Sequence, residues 1–417
     1  MLGWEFPPVI NGGLGVACHD LSAALSENAE VTMIVPKSKP GFKVKNVQLV
    51  GVNNVDVNSI PEFPGRNFSL PYVLQSVPAD LDPYYKEEIG EKGKASLPTM
   101  SVKQILQSFN IDDLYGGDVI RKALQFADIT AALAMNSDFD IIHAHDWMTM
   151  LAGLKIKEWS GKPLVMHIHS LEVDRGGVDS RGWVYELEKY GMEKADLLIP
   201  VSHFTANNIQ QYYGISKNKM RVVHNGSNEV KPFRSPRMFK EKTVLFVGRL
   251  TRQKGPEKFL DIAARVLDKD PNVRFVMAGT GDHFRKLLEA SSYKHIGNRF
   301  HLTGFLDASQ LQYLFSISDV YCMPSVSEPF GLSAVEAAQF GIPCVISRQS
   351  GVAEVLSGAL KFDFWDIDKA AGYILNLLHD PVMTKKVAED AARNLDRISW
   401  DISAGKVMDA YTALMCA

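Results

Sequence analysis

Four cysteines in 417 residues, with no pair spaced as CxxC, exclude a disulfide framework and a thiolate zinc knuckle. Cys18, Cys322 and Cys344 lie among apolar neighbours, as small buried thiols do, so a reduced, cytoplasmic setting is expected. No window reaches the ~18 uninterrupted apolar residues of a spanning helix. The opening MLGWEFPPVI has no basic stretch ahead of a long apolar run, so it does not read as a secretory leader. Neither charge dominates: 45 Lys and Arg against 48 Asp and Glu give a formal net charge of -3, which excludes nucleic acid as the expected partner. Fixed-period repeats and low-complexity tracts are missing as well. So is the GxGxxG spacing of a dinucleotide fingerprint, because the glycines of INGGLG (10–15) are spaced differently and read equally as a tight turn.

What is present suits an ordinary soluble protein. A chain this long exceeds one ordinary core and points to two domains. Short runs rich in Val, Ile and Leu (VTMIVP, FDIIHAH, KPLVMHIHS, ADLLIPVS, RVVHNG) alternate with longer helical segments, which implies parallel strands buried on both faces. After the polar, proline-containing stretch 226–242 the rhythm restarts with TVLFVGRL, VRFVMAGTGD, RFHLTGFL, SDVYCMPS and PCVIS. The expected fold class is therefore α/β, with two Rossmann-like doubly wound sheets facing across a cleft. In such sheets ligands bind beyond the carboxyl ends of the strands. Residues 50–120 lack a clear pattern and are expected to decorate the first domain. The final segment, SWDISAGKVMDAYTALMCA, is an amphipathic helix with Val407, Ala410, Tyr411 and Leu414 on one stripe.

Chemistry-bearing residues cluster just after predicted strands. VGRLTRQKG places Arg249 and Lys254 at a strand end beside Gly255, two cations suited to a diphosphate; solvated loop cations are the plainer reading. In SEPFGLSAVE, the amides near Gly331, Leu332 and Ser333 open a helix, Glu336 can accept from a ribose diol, and Glu328 can orient a second polyol ring. Ser333 and Glu336 also have the spacing of a capping box, which would use Glu336 architecturally. HAHDW and HIHS put His143, His145, His167 and His169 at two strand ends. These pairs suggest the start of a metal site, but no further ligand motif completes it, so no metal is expected and His169 is read as a hydrogen-bond donor to a sugar. Gly279 in AGTGD and Phe305 in TGF can border a nucleobase, with loop glycine and core phenylalanine as the plainer alternatives. Lys37, Lys39, Lys43 and Lys45 form a local basic loop, read either as solvated or as a weak peripheral membrane contact.

Taken in order, GGLG, HAHDW, HIHS, GRLTRQKG, AGTGD, TGF and SEPFGLSAVEAAQFGIPCV resemble the retaining GT-B glycosyltransferases of family 4 (glycosyltransferase group 1), and within them the glycogen or starch synthase-like glucosyltransferases. The resemblance runs over nearly the whole chain. It implies an acceptor-side domain over 1–229, a nucleotide-sugar-binding domain over 230–395, and a helix over 396–417 crossing back to the first. It implies that Arg249 and Lys254 hold the donor's diphosphate and neutralise the leaving group in place of a metal. Glu336 would hold the ribose, Glu328 with the amides around Phe330, Gly331 and Leu332 the transferred sugar, and His169 that sugar from the other domain. Gly12 and Gly13 would approach the phosphates, with His145 and Asp146 on the acceptor side. The implied reaction is retaining transfer of a hexose, glucose in the first instance, from a UDP- or ADP-glucose type donor to a glucan-like acceptor, with no cofactor. A lipid-linked or surface-polysaccharide acceptor is the first alternative. A metal-dependent hydrolase built on the two HxH pairs and a non-catalytic polysaccharide-binding protein are the others. Two departures stand out: the Lys-Thr-Gly-Gly of bacterial glycogen synthases of the other main family is Ile10-Asn11-Gly12-Gly13 here, and only Met1 and Leu2 precede GWEF, so a very short first strand is expected.

Overall fold

The computed structural model describes residues 1–10, 12–60, 77–78, 94–95, 101–109, 114–116, 118–237, 239–393 and 395–416. Most of the unpatterned stretch 50–120 therefore lies outside the described residues. The chain divides into two units: Met1–Val201 with Thr205–Gly226 and Trp400–Ala417, and Ser202–Phe204 with Ser227–Ser399. The divisions fall at 226/227 and 399/400, against 229/230 and 395/396 in the expectation.

In chain order the strands are β1 (Val31–Val35), β2 (Val47–Gly51), β3 (Val77–Pro78), β4 (Lys94–Ala95), β5 (Ile142–His145), β6 (Leu164–Ile168), β7 (Leu197–Pro200), β8 (Lys242–Val247), β9 (Val273–Ala278), β10 (Phe300–Gly304), β11 (Val320–Met323), β12 (Cys344–Ser347) and β13 (Leu360–Phe362). In the first unit, β2 pairs with β1 and β5-β6-β7 form a parallel set. Leu2 joins the two sets by bridging Ile34 on one side and Ala144 on the other, both in parallel. Its amide donates to His143 O at 2.8 Å and its carbonyl accepts from His145 N at 3.1 Å. The short first strand is thus a single residue that completes a sheet of order 3-2-1-4-5-6.

Strands β5, β6 and β7 are buried at every position, as apolar runs covered on both faces should be. One face carries the helix Gly13–Leu25 with the terminal helix Trp400–Met415 packed on it; Trp400, Ala404, Val407, Ala410 and Tyr411 are buried in that contact. The opposite face carries Val119–Ala134, Trp147–Ser160 and Trp183–Lys194 around Phe126, Leu151 and Met166. Residues 221–226, expected as a strand, are extended chain instead. The Arg221 and Val223 amides donate to Leu198 O and Pro200 O.

The second unit is a six-stranded parallel sheet of order β10-β9-β8-β11-β12-β13. Counted within the unit this is again 3-2-1-4-5-6, with the order reversing between β8 and β11. The helices Pro256–Leu267 and Ile367–His379 cover one face over Phe246, Phe259, Phe275 and Phe362; Leu332–Gln339 and Pro381–Ala392 pack together beside β12. The short edge strand β13 was not foreseen, since three residues are too few to show a period.

Candidate functional site

The crevice expected at a topological switch point falls in the second unit at the carboxyl ends of β8 and β11. After β8 the chain turns through Gly248 and the exposed Arg249 into a short 3-10 turn, Arg252–Lys254. Gly255 ends that turn at φ 66°, and a Cβ there would lie 2.2 Å from Pro324 O, so the position requires glycine. Pro256 then opens the next helix. This packing carries Lys254 to the chain that follows β11, where its Nζ is 2.6 Å from Glu328 Oε2. Ser325 Oγ donates to the same oxygen at 3.3 Å. Glu328 is 4% exposed, so an unpaired charge there would be costly. Its backbone is fixed as well: Glu328 N donates to Gln349 O and Gly351 N to Glu328 O, both at 2.9 Å.

Gly331, at φ 113°, is the N-cap of the helix Leu332–Gln339, and no side chain caps that end. The capping box therefore does not form. Ser333 lies inside the first turn and its hydroxyl pairs with Tyr321 OH at 2.7 Å. Glu336, half-buried, is left free of that duty. Burial pushes its carboxyl up to about 7. One ammonium, an open helix terminus and two carboxylates are thus gathered at one sheet edge, a set able to receive a diphosphate and sugar hydroxyls.

The next loops close on this edge. Gly279 has φ 144°, and a Cβ there would sit 1.9 Å from Gly248 O; Gly279 N donates to Gly304 O at 3.0 Å. Phe305, next to Gly304, is 78% exposed, which removes the core-phenylalanine reading.

The first unit presents different chemistry at the carboxyl ends of β5 and β6. His143, His145, His167 and His169 form a double column, His143 stacked on His145 beside His167 stacked on His169, with neighbouring ring centroids 4.4–5.3 Å apart. His143 Nε2 faces His167 Nδ1 at 3.2 Å, His145 Nδ1 faces His169 Nε2 at 2.9 Å, and His143 Nδ1 meets Tyr411 OH. Burial holds His143, His145 and His167 well below the usual imidazole range and His169 at about 3, so the column is neutral. His143, His145 and His167 offer nitrogens within 4.8 Å of one another. An ion would need its nitrogen ligands about 2.0–2.1 Å away, and would compete here with the His143–His167 contact that joins two of these rings. His169 has its Nε2 engaged by His145, and its Nδ1 is buried without a partner.

Asp146, expected on the acceptor side, has one oxygen engaged by backbone. Its Oδ1 accepts from His169 N at 2.6 Å and Ser170 N at 3.3 Å, which ties the carboxylate to the turn after β6. Burial raises this carboxyl to about 7. Beyond the turn, Arg175 is held by Glu188 at 2.6 Å and Glu172 at 3.3 Å, and donates to Ser170 Oγ at 3.2 Å. The helix expected near Ala17 begins at Gly13, with Gly12 as an uncapped N-cap. Gly12 N is taken by Glu5 Oε2 at 3.2 Å, so Gly13 carries the first amide left for a ligand.

Sequence reasoning missed Ser325, Tyr321, Arg175 and Glu5. Each matters through a specific partner that spacing alone does not reveal: Glu328 for Ser325, Ser333 for Tyr321, Glu188 for Arg175, and Gly12 with Tyr115 for Glu5. The single signal was SVSE, where Ser325 stands three residues before Glu328.

Residues 227–394 match the model for glycosyl transferases group 1, nearly the whole second unit, and residues 106–229 match that for glycosyltransferase family 4. The chain belongs to the group 1 glycosyltransferases. A glycogen synthase of Mycobacterium tuberculosis is 26% identical to this glycosyltransferase over 99% of this chain and 94% of that protein. Among solved structures, a sucrose-phosphate synthase from Thermosynechococcus elongatus aligns with TM-score 0.72 at 18% identity, covering 100% of this chain and 98% of that one. Anabaena HepE, solved with UDP and glucose, aligns with TM-score 0.66 at 16% identity over 99% and 98%. These likenesses identify the fold as GT-B. Membership of the family takes the place of the hydrolase and polysaccharide-binding readings. No helix among the described residues is long and apolar enough to cross a membrane.

Proposed function

We propose that this glycosyltransferase moves a hexose, glucose in the first instance, from a UDP- or ADP-linked donor to a glucan-like acceptor with retention of configuration and without a metal. The observation that carries the proposal is the Lys254–Glu328 pair beside the open amino end of Leu332–Gln339 at the β8/β11 switch point. Lys254 and Arg249 take the donor's diphosphate, Glu336 the ribose, and Glu328 with the amides from Phe330 to Leu332 the transferred sugar. Gly13 approaches the phosphates, His169 is assigned to the sugar, and Gly279 and Phe305 border the base. In the reaction the anomeric C–O bond to the diphosphate breaks, the acceptor hydroxyl oxygen bonds to the anomeric carbon, and its proton passes to the departing phosphate. Cations fixed where that charge develops lower the barrier, and removing one such group costs about 2.7–4 kcal/mol. The glycogen synthase relative supports the glucan acceptor. The bound UDP and glucose of the HepE structure support the donor class.

Incubation with UDP- and ADP-sugars plus glucan, with nucleotide release and product anomer followed, tests this. A donor-dependent α-linked product supports the reading; no nucleotide release with any donor and acceptor overturns it. The alternative of a lipid-linked or surface-polysaccharide acceptor draws on the exposed Lys39, Lys43 and Lys45. Liposome flotation together with transfer to a lipid-linked glycan distinguishes it.

A further inference from the structure

We propose that Glu5 is a positioning residue of the donor site: its buried carboxylate holds the Gly12 amide and thereby aims the uncapped first turn of Gly13–Leu25 at the donor's phosphate. The inference rests on the proposed function above, in which that turn meets the diphosphate.

Glu5 is 3% exposed. Its Oε2 accepts from Gly12 N at 3.2 Å, and its Oε1 accepts from Tyr115 OH, 110 residues away in sequence. A carboxylate near a diphosphate would repel it if its oxygens faced the ligand. Here both oxygens are bound to donors within the fold, so the charge is turned inward and only its orienting effect remains. The approach is tight. A Cβ at Gly15 would lie 2.4 Å from Ile10 Cγ2 and 3.1 Å from Glu5 Cβ, so the segment before the glycines is pressed onto the first helical turn. Gly12 is extended at φ -171° with no side-chain cap. The Glu5 bond is thus a side-chain contact that fixes the backbone immediately before this helix end. An ordinary N-cap would satisfy the free amides of the turn itself. Glu5 instead takes the amide of the cap residue and leaves those of the turn open.

A purely structural staple predicts lower stability with unchanged discrimination between substrates. A positioning role predicts a donor-specific defect. In the full-length enzyme, Glu5→Ala is expected to raise the donor KM about tenfold, the size of one lost hydrogen bond to a charged group, with the acceptor KM unchanged. Glu5→Gln, which keeps an acceptor oxygen for Gly12, should recover at least half of that loss on a logarithmic scale, and Tyr115→Phe should fall between. Hydrogen exchange over residues 6–16, with and without UDP or ADP, gives a readout that needs no turnover. Nucleotide should protect this segment in the wild type and fail to do so in Glu5→Ala. Equal nucleotide protection in both proteins, or an equal rise in both KM values, overturns the proposal. Where Glu5→Ala does not fold, the same comparison is made with Glu5→Gln and Tyr115→Phe. Absence of glycosyl transfer from any donor sinks the proposed function separately, because nucleotide protection of the segment is measured without it.

Discussion

The two units share a strand order but place different chemistry at the carboxyl ends of their strands, at β8/β11 in the second and at the neighbouring pair β5/β6 in the first. At the β8/β11 edge the side chains are charged and half-open, with an ammonium on a carboxylate and a helix end left uncapped. At the β5/β6 edge four imidazoles are buried, neutral and paired with one another. Sheet topology thus selects where a site lies without choosing its chemistry. A charged edge can stabilise a departing diphosphate; a neutral set of rings supplies no such charge.

The sharpest break of this contrast is in the second unit. Lys254→Ala should cost about 3 kcal/mol or more in kcat/KM, since it removes a cation from the developing charge. It also leaves Glu328 buried without its partner. Steady-state kinetics decide it, and a near-wild-type rate would strip Lys254 of its role.

In the first unit the expected cost lies in stability. His143→Phe severs contacts to Tyr411 and His167 and should lower the unfolding free energy by about 1–3 kcal/mol, read by chemical denaturation, with kcat/KM changing only a few-fold. The column also sets a pH response. Unfolded histidines bind protons below about 6.5, whereas the folded ones refuse them until far lower pH, so stability falls as pH drops from about 6.5 toward 3. Asp146, Glu188 and Glu336, each raised to about 7 by burial, oppose this because they bind protons in the folded state first. His143→Phe removes one of the four imidazoles and should flatten the acid-side fall in a plot of Tm against pH.

Glu336 offers a smaller test. With its carboxyl at about 7, donor affinity should improve as pH rises through 7 and the group becomes a full acceptor; Glu336→Gln should abolish that dependence in a KM profile. The smallest effect is expected at Phe305. Its ring is exposed, so Phe305→Ala should leave stability within ~0.5 kcal/mol while donor KM shifts a few-fold.

Much of this was legible in the sequence because buried parallel strands are continuous apolar runs. Arg249, Lys254 and Glu328 were marked by following such runs directly. The capping box was misleading, because Ser333 and Glu336 have the right spacing but Gly331 takes the N-cap position. The partners of Asp146 were not legible either: the turn beyond β6 brings two amides onto it from 23 and 24 positions away. The short bridge at Leu2 and the edge strand β13 carry too few residues to show any periodicity.

Sequence alone determined the two-sheet architecture, the restart after the stretch 226–242, and the residue types available at the strand ends. Apolar periodicity and glycine placement are local properties, encoded within a few residues. Only the tertiary structure decided which charges are neutralised in place: that Lys254 meets Glu328 across 74 positions, that Glu5 holds Gly12 while Tyr115 holds Glu5, and that four histidines face one another. Those outcomes depend on distances between strands that the chain sets only by folding, and electrostatics and desolvation act on distance and burial rather than on order in the sequence.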